Sequence, residues 1–86
     1  MNNKSIWQLI EIESRNERKL NPTYPDHVVA QSAMVSNAAG MLTNSAINFK
    51  YKLNDIEIVA DYQKEKLKEE AVKVCVAAIR FIQNIK

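Results

Sequence analysis

Hydrophobic and polar positions along the chain alternate with a helical period in three stretches separated by breakers. From Ser5 to about Leu20, Ile6, Leu9, Ile10 and Glu13 share one side with Trp7 beside it, while Arg15, Glu17, Arg18 and Lys19 are expected to be solvated. Ser5 and Gln8 have the spacing of a capping box, in which the hydroxyl takes an orphan amide and the Gln side chain reaches back. Asn21-Pro22-Thr23-Tyr24-Pro25 ends this helix, because each proline disfavours helical backbone at the residue before it.

A second helix is expected from Asp26 or His27, with Asp26 as its cap, to about Phe49. Val28, Val35, Leu42 and Phe49 recur at seven with Gln31, Ala38 and Ser45 between them, which predicts a packing seam. Ala30, Ala33, Ala38, Ala39, Gly40 and Ala46 keep the rest of this helix small. Gly40 costs about 1 kcal/mol relative to Ala, so a neighbour is expected to use the space. Residues 50–54 read as a connection, with Asn54 capping and Glu57 at the capping-box position. The third helix is expected from Asp55 to Ile85, bent or interrupted around 61–66. Its apolar stripe is Leu67, Ala71, Val74, Cys75, Ala78, Phe81, Ile82 and Ile85. The fold class is therefore all-α: three helices in a single domain over residues 1–86, with helices 2 and 3 as an antiparallel pair.

Composition narrows the options. Eighty-six residues support one modest core, and a single cysteine with no Cys/His cluster of zinc spacing supplies no internal staple. Self-association into a dimer or tetramer, completing a four-helix core, is the expected compensation. Cys75 reads as a buried small hydrophobe, and His27 as a surface or capping histidine rather than a base or ligand. A free thiol and an N-terminus without an apolar signal core fit the cytoplasm. Twelve Lys/Arg against ten Asp/Glu leave a formal charge of +2, too little to indicate nucleic acid, and Lys64–Lys68 is interleaved with acids as a solvated face.

The charges are unevenly placed. Four acids lie within residues 1–26 and six within 55–86, and none falls between His27 and Asn54. Residues 27–49 carry no formal charge and are long enough to span a bilayer, but roughly a third of them are polar, so no membrane span is expected. Among the carboxylates, Glu69 shares the outward, solvated side with Lys73 and Arg80. Glu70 has Val74, Ala77 and Phe81 at i+4, i+7 and i+11, which sets it at the edge of the apolar face. That placement suits a metal-facing acid and also a boundary glutamate with its head in water.

The segment Val35-Ser36-Asn37-Ala38-Ala39-Gly40-Met41-Leu42-Thr43-Asn44-Ser45-Ala46, followed by Lys68-Glu69-Glu70-Ala71-Val72-Lys73-Val74-Cys75-Val76-Ala77-Ala78-Ile79-Arg80-Phe81-Ile82, resembles the MazG-like all-α nucleoside triphosphate pyrophosphohydrolases. The likeness is to the short forms of phages and mobile elements. In that family, clustered glutamates on one helix and acids on the next hold Mg²⁺, which binds the triphosphate and helps activate water. Carried over, the glutamates of the first helix map to Asn37, Ala38 and Met41. The partner acid maps to Glu70, or to Glu69, and the following Asp to Lys73 or Val72. Glu70 is thus the one candidate catalytic group, with Glu70 and Glu69 the candidate metal ligands, and Asn37, Ala38, Met41 and Lys73 are degenerate positions. No shift of register restores them, because the segment contains no acid.

What the resemblance then implies is a degenerate, non-catalytic binding or assembly module that retains at most weak nucleotide binding and has no resident cofactor. Two alternatives stand beside it. One is a Mg²⁺-dependent pyrophosphohydrolase with an atypical site, releasing NMP and pyrophosphate from NTP. The other is a small phage or mobile-element regulator acting through protein contact.

Overall fold

A computed structural model describes residues 4–51 and 57–85, with side chains for 4–50 and 62–85. The elements are α1 (Ile6–Leu20), α2 (Val28–Tyr51) and α3 (Glu57–Asn84), and no strand occurs among the described residues. The all-α, three-helix reading is correct, and α2 and α3 pack along each other.

The start of α1 is fixed by the expected capping box. Ser5 N–H donates to Gln8 Oε1 at 2.8 Å, and Gln8 N–H donates to Ser5 Oγ at 3.2 Å. At the other end, Asn21 N–H bonds to Glu17 O at 2.8 Å, with Arg18 and Lys19 in the last turn where cations suit the helix dipole. Helix α2 begins one residue later than an Asp26 cap requires. Val28 is its first residue, so His27 occupies the cap, and its Nδ1 accepts from Val29 N–H at 3.2 Å. Asp26 is exposed, and His27 is the capping residue. Gln31 then reaches back, its Nε2 donating to Pro25 O at 2.6 Å, which ties the proline linker to the helix.

Helix α2 continues through Lys50 and Tyr51, beyond the expected end at Phe49. The Asn54 cap and the connection at 52–54 lie outside the described residues. Helix α3 is continuous from Glu57, with no interruption at 61–66.

Both α1 and α2 pack on α3 and not on each other. The Ser45–Glu70 contact, together with Val35 lying beside Phe81, makes α2 antiparallel to α3. Glu17 of α1 meets Arg80 one turn before the end of α3 at Asn84, which leaves too little helix beyond that point to bury Ile10, so α1 runs parallel to α3. The chain therefore goes up, down and up, with its last helix in the middle.

A central helix must offer packing surface on two sides, and α3 does. Glu70, Val74, Ala77 and Phe81 lie on the side of Ser45, while Val76, Arg80 and Gln83 lie on the side of α1. The single stripe read from sequence is corrected accordingly. Leu67, Ala71, Val74, Ala78 and Phe81 are half-buried, but Cys75, Ile82 and Ile85 are exposed. They fall on the arc of α3 that neither neighbour covers. Arg80 and Glu17, expected to be solvated, face each other across the α1–α3 contact.

Candidate functional site

The seam between α2 and α3 is where the sequence places its candidate residues. The sevenfold recurrence on α2 faces α3 from Gln31 onward: Gln31 and Ser45 are buried, and Val35, Ala38, Leu42 and Phe49 are half-buried, whereas Val28, the first member of the expected seam, lies exposed in the first turn. Both buried members of that seam are polar, and each has a partner. Gln31 is satisfied by Pro25 O, and Ser45 Oγ–H donates to Glu70 Oε1 at 2.5 Å.

Glu70 is therefore not a boundary glutamate with its head in water. It is 6% exposed and its carboxylate is turned into the helix pair, against a hydroxyl. The remaining family positions do not join it. Antiparallel pairing sets Ser45 opposite Glu70, so Met41 lies about 6 Å and Asn37 about 12 Å further along the α2 axis. Asn37 and Met41 are exposed, Ala38 packs in the seam, and Glu69 and Lys73 are exposed on α3. Among the described residues, no group of three or more His, Cys, Asp or Glu side chains comes together. Among the described residues, the chemistry available at Glu70 is a single carboxylate and a hydroxyl.

A second polar cluster lies at the other side of α3. Arg80, 7% exposed, donates from Nη1 to Glu17 Oε1 at 2.6 Å and to Asn21 O at 3.0 Å, and its guanidinium lies 4.6 Å from the centre of the Tyr24 ring. Arg18 Nη2 also donates to Gln83 Oε1. This cluster clamps α1 and the proline linker onto the end of α3. The Tyr24 hydroxyl is buried without a hydrogen-bond partner. Arg80 did carry a sequence signal: with Val76 and Gln83 it forms a stripe at spacings of four and three, distinct from the stripe through Glu70.

The chain matches no known protein family, curated protein or solved structure.

What distinguishes the molecule is its surface. Among the described residues the buried apolar ones are Ile10 and Val76, whereas Ile6, Trp7, Leu20, Val29, Tyr62 and Ile82 are each more than three-fifths exposed. The accessible surface is 6803 Å², against about 5,200 Å² for a compact monomer of this mass. The radius of gyration is 14.7 Å, against about 12 Å for a compact chain of this length. Helices α1 and α2 do not pack on each other, which leaves each with an open flank. Gly40 shows the same openness: a Cβ built there meets no atom within 4 Å, so no neighbour in the chain uses the space its small size leaves. No helix among the described residues is long and apolar enough to cross a membrane.

Proposed function

We propose that this chain is a degenerate MazG-like helical module that works by binding and assembly rather than by hydrolysing nucleotides. The environment of Glu70 carries the reading. Of the carboxylates the resemblance assigns to metal binding, Glu70 is the one turned inward, and Ser45 already engages it. The helix facing it has no acid from end to end. Hard Mg²⁺ takes several oxygen ligands around a substrate triphosphate, and one carboxylate with one hydroxyl makes a poor start for such a site. Glu70 then serves as a polar register pin between α2 and α3.

The assembly half of the reading is supported by the apolar surface the three helices leave uncovered. The exposed free thiol of Cys75 suits a reducing compartment such as the cytoplasm.

The test is a panel of dNTPs with Mg²⁺ or Mn²⁺, followed by measurement of pyrophosphate. No release above a protein-free blank is expected. Metal-dependent release that disappears in Glu70→Gln would establish the pyrophosphohydrolase instead.

A further inference from the structure

Helix α1 is attached to the rest of the molecule differently at its two ends. Ile6, Ile10, Glu13 and Glu17 follow one another at spacings of four, three and four, so they share the stripe of α1 that faces α3. Along that stripe Ile10 is buried and Glu13 and Glu17 are half-buried, but Ile6 is 68% exposed. Trp7 beside it is 76% exposed. The first turn of α1 thus stands clear of α3.

The other end is held by polar contacts that converge on the last turns of α3. Arg80 binds Glu17 of α1, the carbonyl of its cap residue Asn21 and the ring face of Tyr24 in the linker, and Arg18 donates to Gln83. One guanidinium therefore spans the junction of helix and linker. Pro22 and Thr23 are exposed, and the Gln31–Pro25 bond ties the far end of the linker to α2. Rotation of α1 as a body needs backbone changes only at residues 22–24.

We propose that α1 is a releasable strap, which swings off α3 as a unit about residues 22–24 while α2 and α3 stay paired, with the Arg80 clamp as its catch. Among the described residues the α1–α3 contact buries two apolar side chains, Ile10 and Val76. Segments with so little buried apolar surface open below the cost of global unfolding. The α2–α3 seam runs from Gln31 to Phe49 along α2 and is pinned inside by Ser45 and Glu70. It loses no support when α1 leaves, because α1 and α2 do not pack on each other. What remains is a charge pair, and removing one member strands the other, so the catch answers to Glu17 and Arg80. Release uncovers the stripe of α3 through Val76 and ends it with a cation freed from Glu17.

Native-state amide exchange of the full chain, followed by NMR across a urea series, tests the inference. Amides of residues 10–20 are expected to exchange at least about 10-fold faster than those of 38–46 and 74–81, after correction for intrinsic rates. Their opening is expected to depend on urea, with a shallower slope than the seam because less surface is exposed. Ser45→Ala is expected to speed the seam amides roughly 10-fold and leave residues 10–20 unchanged, because the strap opens with the seam intact. Glu17→Gln is expected to speed residues 10–20 roughly 10-fold. Equal acceleration of both regions by Ser45→Ala overturns the strap, as do coincident urea profiles in the wild type. A urea-independent opening of α1 overturns it too, since that is fraying of single turns. Residues 10–20 indifferent to Glu17→Gln overturn the catch. Should Ser45→Ala fail to fold, the wild-type urea profiles decide.

Discussion

Removing the Ser45 hydroxyl leaves the Glu70 carboxylate buried without its donor, which is the costly half of any buried hydrogen bond. Ser45→Ala is expected to destabilise the fold by about 1–3 kcal/mol. The double variant Ser45→Ala with Glu70→Leu should recover most of that, because an apolar pair needs no partner there. Urea denaturation at fixed protein concentration measures both, and a double variant no better than Ser45→Ala would show that Glu70 has a further role. Tyr24 offers the converse case. Its ring stacks under Arg80 while its hydroxyl is buried and unpartnered, so Tyr24→Phe keeps the stacking and removes an unpaired group. It should leave the denaturation midpoint unchanged or raise it, by up to about 1 kcal/mol in stability. At this scale the sequence was legible only in part. Glu70 was placed beside Val74, Ala77 and Phe81 from spacing alone, but its depth depended on Ser45 arriving from another helix. Arg80 looked like a solvated cation until α1 brought Glu17 to it.

Among the elements, α2 carries the informative departure. A mid-helix glycine suggested a close neighbour, yet the space beside Gly40 is open within the chain. Gly40→Ala should therefore stabilise the protein by about 1 kcal/mol, the intrinsic helix preference with nothing to offset it. Thermal or chemical denaturation checks this, and destabilisation would mean that another molecule approaches α2 at that point. Helix boundaries followed local rules where the local chemistry was unambiguous: the Ser5–Gln8 box and the two prolines mark them by hydrogen bonding and backbone sterics. They slipped by a residue at His27, where two adjacent side chains can each take the cap and packing of Gln31 against Pro25 settles the register.

For the whole molecule, the order of packing matters more than the inventory of helices. Because α3 sits between α1 and α2, it uses two stripes of its surface and leaves a third uncovered. That third stripe contains three of the eight residues that read as one amphipathic face in sequence, Cys75, Ile82 and Ile85.

What the sequence alone determined was local: three helices, their caps and breakers, the seam along α2, and a middle segment without acids. These follow from side-chain period and backbone sterics, which need only neighbouring residues. The tertiary structure decided which stripe of α3 is covered, and that Glu70 is held by Ser45 and Arg80 by Glu17. Such choices depend on which helix lies beside which, and in a chain whose helices carry apolar residues on more than one side, periodicity cannot rank them.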